Sequence, residues 1–242
     1  MTASPKGFFI TGTDTEVGKT LVAAAVMVRL QQQGLRVAGF KPVVAGTVLN
    51  ALGEKVNEDL ETLRLASRAP LTAQDLCPYI LDEAAAPHLV AADLGIDLDL
   101  GVMTQHQQRL ADQFDAVVVE GAGGFLVPIN AHQTLGDLAQ VLKLPVILVV
   151  GMRLGCINHA LMTQDCIASK GLVLHGWVAN CIEVDMPRLK DNIQTLETLV
   201  SAPRLGTIDH LNSAHLNHSQ DGSGAYTLAG IAHAAAQLRT LF

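Results

Sequence analysis

Gly12-Thr13-Asp14-Thr15-Glu16-Val17-Gly18-Lys19-Thr20 decides how the rest of the chain is read. It lies between an apolar, strand-like run at 7–12 (GFFITG) and a helix-period segment at 19–33. In that segment Leu21, Val22, Ala25, Val26, Val28 and Leu30 recur as apolar positions, and Gly34 is the stop. Strand, turn and helix in this order make a phosphate-binding setting. A small turning backbone lets several N–H groups converge on phosphate oxygens, and the helix N-terminus adds a favourable dipole. Lys19 would bring a point charge to the terminal phosphates, and the Thr20 hydroxyl would ligate Mg²⁺. The usual spacing is GxxxxGK[ST]; here Thr13 stands where the first glycine belongs, and Gly12 lies one step earlier.

The same alternation continues along the chain. Strand-like runs are expected at 36–40, 116–119, 145–150 and 173–180. Helices are expected at 59–66, within 96–114, and at 156–170, 187–200 and 227–242. Apolar strands alternating with helices predict an α/β fold of parallel βαβ units with both sheet faces covered. Residues 209–225 are polar and turn-rich, the pattern of an exposed, mobile loop.

Three further groups join the loop. Phe40-Lys41-Pro42-Val43 puts a lysine at the carboxyl end of a strand, where parallel sheets bind ligands. Asn57-Glu58-Asp59 precedes a short helix, and Asp59 is either its N-cap or a metal ligand. Val117-Val118-Val119-Glu120-Gly121-Ala122-Gly123-Gly124 is an apolar strand ending in an acid and then glycines, the form in which a strand-end carboxylate meets Mg²⁺ directly or through water.

Composition excludes several classes. The chain has 242 residues, a net charge of −7, 49% hydrophobic and 16% charged residues; disorder needs the opposite balance. An acidic chain suits neither a nucleic-acid nor an anionic membrane surface. Apolar runs such as 21–28 and 146–150 fall short of the ~18 residues of a spanning helix. The first residues show no signal-peptide pattern, so a cytoplasmic protein is expected. Cys77, Cys156, Cys166 and Cys181 have no CxxC spacing and read as reduced thiols. His210, His215 and His218 sit in the polar stretch without acidic or thiol partners at metal-site spacing, and read as solvated.

Six spaced motifs together resemble the dethiobiotin synthetase family, from about residue 7 to 206: GTDTEVGKT (12–20), KPV (41–43), APHL (86–89), VEGAGG (119–124), GCINHA (155–160) and GWVAN (176–180). The resemblance implies one P-loop NTPase domain over 1–242, with a mostly parallel sheet of about seven strands and helices on both faces. It also implies a homodimer. The implied reaction is the Mg²⁺- and ATP-dependent carboxylation and ring closure of 7,8-diaminononanoate with CO₂ (bicarbonate), in biotin synthesis. By position, Lys19 and Lys41 take the catalytic roles. Thr15, Glu16, Val17, Gly18, Lys19 and Thr20 hold the nucleotide phosphates, and Asn180 recognises adenine. Thr20, Asp59 and Glu120 surround Mg²⁺. Thr13 and Lys41 face the substrate. Gly155, Cys156, Ile157 and Asn158 begin a helix that receives the substrate carboxylate from the neighbouring subunit, a role that free helix-start amides suit.

The chain departs from the family pattern in three places. Ala45 stands where a serine is usual, with Thr47 as a candidate replacement hydroxyl; Ala86 replaces a serine; and Asp209-His210 follows 205–208 where a proline is expected. Three alternatives are weaker. A P-loop switch ATPase of the partitioning type carries a lysine where Asp14 stands. An amidoligase would need a glutaminase domain that the chain is too short to hold. A non-catalytic nucleotide-binding relative would not need Lys19, Thr20, Lys41, Asp59 and Glu120 together.

Overall fold

The computed structural model describes residues 7–50, 52–212, 215, 225–239 and 241. Ten strands and nine helices follow in order: β1 (Gly7–Gly12), α1 (Lys19–Gln31), β2 (Val37–Phe40), β3 (Val44–Ala45), β4 (Val48–Leu49), β5 (Lys55–Val56), α2 (Glu58–Ser67), α3 (Ala73–Leu76), β6 (Ile80–Leu81), α4 (Pro87–Asp93), α5 (Leu100–Ala111), β7 (Ala116–Gly124), α6 (Leu135–Leu142), β8 (Val146–Gly151), α7 (Cys156–Ser169), β9 (Leu174–Asn180), α8 (Leu189–Leu199), β10 (Arg204–Ile208) and α9 (Leu228–Ala236) among the described residues.

The central sheet runs β10-β9-β8-β1-β7-β2, and every neighbouring pair is parallel. Strands β1 and β8 are buried at every position, as expected of strands covered on both faces. One face packs on α1, α2 and α9 through Phe8, Ile10, Leu21, Met27, Leu63 and Ile231. The other packs on α4, α5 and α6 through Phe9, Phe40, Val90, Met103, Val119 and Leu138. Trp177, with Leu148, Ala160 and Leu196, anchors α7 and α8. Winding reverses direction beside β1, and register pairs Phe9 with Val119 and Phe40 with Val119. The carboxyl ends of β1, β2 and β7 therefore stand together, the usual place for a ligand.

The sheet differs from expectation in strand number. It has six strands among the described residues, not about seven. The chain turns away after β2 at Pro42, which has no N–H to give a ladder. The short strands that follow pair only with each other, β3 with β6 and β4 with β5.

The last helix ends at Ala236, well short of 242. Leu238 bridges to Gly206, and Arg239 donates its N–H to the Leu205 carbonyl at 2.7 Å, so the chain leaves the helix to cover the edge strand β10. A Cβ on Gly206 would lie 2.4 Å from the Gln237 carbonyl oxygen. Gly206→Ala should therefore cost about 1–3 kcal/mol by overpacking. A urea midpoint equal to the parent's would contradict this lashing.

Helix α6 and strand β10 lie outside the expected elements: α6 has eight residues, and β10 carries a mid-strand glycine. Most of the polar stretch 209–225, together with His218 and residues 1–6, lies outside the described residues. All four cysteines are free thiols. No described helix is long and apolar enough to cross a membrane.

Candidate active site

The loop between β1 and α1 folds back tightly over Gly12. A Cβ there would meet Val17 Cγ2 at 2.6 Å and Asp14 O at 3.0 Å, so the glycine belongs at 12 rather than 13 in this chain. Thr13 N–H donates to the Val149 carbonyl (3.0 Å), fastening the loop to β8. Glu16 takes a left-handed backbone (φ 58), as does Gly18 (φ 87). Gly18 caps α1 without any side-chain capping bond, so the helix entry is open toward an anion. A Cβ on Gly18 would sit 2.1 Å from Asn180 Nδ2. Asn180 is buried beneath the loop and donates from Nδ2 to the Val17 carbonyl at 2.9 Å.

A compact charged cluster stands at the strand ends. Lys41 Nζ, 3% exposed, donates to Asp59 Oδ2 at 2.7 Å and to Glu120 Oε1 at 2.6 Å. Thr20 Oγ1 lies 2.6 Å from Asp59 Oδ1 and 2.8 Å from Glu120 Oε1; a single hydroxyl proton serves one of them at a time. Asp59 is free for this because Asn57, not Asp59, caps α2, accepting from the N–H groups of Asp59 and Leu60. Lys19 Nζ donates to the Asp14 carbonyl at 2.7 Å.

Burial and charge set the protonation of these groups. Burial, followed by the Lys41 charge, lowers Lys19 to about 8 against the pull of Glu120, Asp59 and Asp14. Burial also opposes the Lys41 charge, but Asp59 and Glu120 overcome it and hold its pKa above the ordinary lysine value. Asp59 is likewise opposed by burial, and the Lys41 charge with hydrogen bonds from Lys41 and Thr20 carries it below the usual range. At fully buried Glu120, desolvation prevails over Lys41 and raises the carboxyl.

The cluster opens into a cavity of about 790 Å³, lined among others by Thr15, Glu16, Gly18, Lys19, Thr20 and Tyr226. That volume is within the range of small-molecule sites. Lys41, Asp59 and Glu120 also line it, as does Ala45. Thr47, the candidate replacement hydroxyl, is not among the residues lining the cavity, and its Oγ1 donates to Asp82 Oδ1 at 2.9 Å. Thr13, Val17 and Asn180 back the loop rather than line the cavity. Gly155, Cys156, Ile157 and Asn158 lie outside its lining. Gly155 (φ 94) caps α7 without a side-chain bond. The Cys156 thiol is buried in the core between α7 and β9, and burial raises its pKa, which suits a packing thiol and not a nucleophile.

Tyr226 was not apparent from the sequence. It arrives just before α9, its N–H donating to Thr62 Oγ1 at 3.1 Å, and burial followed by Asp59, Glu120 and Glu58 pushes its phenol up to about 12. No local pattern marks it, because its neighbours in space lie on α2 and β7.

Two carboxylates and one hydroxyl suit Mg²⁺, which takes one or two carboxylates and completes its shell with phosphates and water. Glu120 Oε2 is buried without a hydrogen-bond partner, as an oxygen reserved for an ion or its water would be.

A family described as "AAA domain" matches residues 6–215. The chain is 48% identical to the ATP-dependent dethiobiotin synthetase BioD of Ralstonia nicotianae, covering 84% of this chain and 88% of that one. It is 45% identical to the protein of that name in Aromatoleum aromaticum (87% and 93%) and 44% identical to that of Cellvibrio japonicus (92% and 96%). Among solved structures, a ParA family ATPase from Chlorobium tepidum superposes with a TM-score of 0.56 at 12% identity, over 95% of this chain and 92% of that one. The cell division ATPase MinD of Pyrococcus furiosus does so with 0.54 at 18%, over 95% of each. Likeness at this level of identity is one of fold.

Proposed function

Because the chain belongs to the family of ATP-dependent dethiobiotin synthetases, we propose that its cavity closes the ureido ring of dethiobiotin on 7,8-diaminononanoate with CO₂, at the expense of ATP. It is an ATP-dependent ligase of biotin biosynthesis that forms carbon–nitrogen bonds. The observation that supports the finer reading is the convergence of Lys41, Asp59, Glu120 and Thr20 beside the phosphate loop.

In this reading one amine of the diamine adds to CO₂ and loses a proton, giving a carbamate. A carbamate oxygen attacks the γ-phosphorus of ATP, forming a carbamic–phosphoric anhydride and releasing ADP. The second amine attacks the anhydride carbonyl, expels phosphate and closes the ring. The chain supplies position and charge. Lys41, kept protonated by its two acids, faces the carbamate and γ-phosphate. Lys19 leaves the Asp14 carbonyl for the phosphates. The loop from Thr15 to Thr20 cradles those phosphates, and Asn180, which fastens the loop through Nδ2 to the Val17 carbonyl, takes the adenine role in this reading. Thr20, Asp59 and Glu120 would hold Mg²⁺, which when bound offsets phosphate charge.

The start of α7 is the proposed seat of a neighbouring subunit's substrate carboxylate. Supporting this, its residues lie outside their own chain's cavity, and Leu154, just before it, is 95% exposed. Leu154→Asp should turn a dimer into monomers by ultracentrifugation and raise KM for the diamine. A variant that stays dimeric with an unchanged KM would contradict that interface. The functional test is phosphate release from Mg²⁺–ATP in the presence of bicarbonate. Release that requires the diamine supports the ligase reading, whereas release independent of it points to a switch ATPase.

A further inference from the structure

An acid in a loop that receives a polyphosphate is an electrostatic liability, and this loop carries two, Glu16 at the cavity and Asp14 behind it. The structure shows what offsets Asp14. Arg153, in the turn between β8 and α7, forms an ion pair from Nη2 with Asp14 Oδ2 across 139 positions of sequence. The other carboxylate oxygen, Oδ1, accepts the Thr15 N–H at 2.8 Å, and the Asp14 carbonyl accepts Lys19 Nζ at 2.7 Å. Asp14 is thus the hub of the loop, and each of its acceptors touches a group of the phosphate site or its anchor. Arg153 is itself braced. Its carbonyl accepts the Cys156 N–H (3.1 Å), and the adjacent Met152 N–H donates to the Asn180 carbonyl (2.8 Å).

We propose that Arg153 is a positioning residue for nucleotide binding: it neutralises and anchors Asp14, so that the loop keeps its shape and the Asp14 charge does not add to that of Glu16 against the phosphates. This inference rests on the reading that ATP phosphates lie in the 12–20 loop. It is independent of the diamine chemistry, and its test uses nucleotide binding alone. The two side chains are partly exposed, at 36% and 45%, so the effect is moderate and salt-dependent.

The experiment is calorimetric titration of Mg²⁺–ATP into the full chain and four variants, at low and high salt. Arg153→Gln should weaken ATP about two- to fivefold at low salt, and ADP, with less charge, by a smaller factor. Arg153→Lys, which keeps the charge, should retain most of the affinity. Asp14→Asn/Arg153→Gln should bind more tightly than Arg153→Gln alone, because the charge needing an offset is gone, and Asp14→Asn alone completes the cycle. The difference between Arg153→Gln and the parent should shrink at high salt. Three results would each overturn the proposal: parental ATP affinity in Arg153→Gln, a double variant no better than Arg153→Gln, or an Arg153→Lys as weak as Arg153→Gln. If none of the five proteins binds ATP, the loop reading fails, and that result is distinct from these three.

Discussion

Lys41→Met is expected to cut turnover by roughly a hundred- to a thousandfold, the usual cost of removing one preorganised charge partner of a transition state, while ATP still binds. The geometry separates the two effects. The cradle is made by Gly18, Lys19, Thr20 and the loop backbone, whereas Lys41 comes from the end of β2 and bonds only to Asp59 and Glu120 among these groups. The same substitution strips two acids of their counter-charge, one of them fully buried. Breaking such a pair from one side costs about 3–5 kcal/mol, so the folded fraction should be checked by thermal melting. Lys41→Arg guards against confusion: it keeps the charge and much of the stability, but replaces a compact ammonium with a broad planar fork that does not fit the same point between two carboxylates. Its turnover should stay depressed in a well-folded protein. Full turnover in Lys41→Met would remove Lys41 from the chemistry.

Thr20→Ala and Glu120→Gln are expected to lower Mg²⁺–ATP affinity by about 10–100-fold, the range seen when groups around a metal are lost, and to leave metal-free ATP binding nearly unchanged. Thr20 Oγ1 touches both acids, and Glu120 Oε2 is the buried oxygen without a partner. Calorimetry with and without EDTA separates the two affinities, and Thr20→Ser should recover most of the loss. Variants that bind Mg²⁺–ATP as the parent does would show that the ion is held elsewhere.

Much of this site was legible because its chemistry is local. Gly18-Lys19-Thr20 announces itself in three residues, and Lys41 and Glu120 each end an apolar run whose strand character is plain from Val and Phe content. Asp59 was ambiguous, since an acid near a helix start reads equally as a cap; Asn57 takes the cap and releases it. Arg153 and Tyr226 were illegible for a different reason. Their partners lie far away in sequence, and only the packing of β8 against β1 and of α9 near α2 brings them in. Among the elements, the two-residue strands β3 to β6 are too short to show a period. The last helix was expected to run too far because nothing in its alanine-rich sequence reveals that 238 and 239 are claimed by β10.

Ring closure by this chain is tested by incubating it with Mg²⁺–ATP, 7,8-diaminononanoate and ¹³C-labelled bicarbonate and analysing the small molecules by mass spectrometry. A cyclic urea that carries the heavy carbon is expected, formed in equal amount with phosphate and lost in Lys41→Met. Phosphate release without labelled ring product, at any diamine concentration, would contradict ring closure.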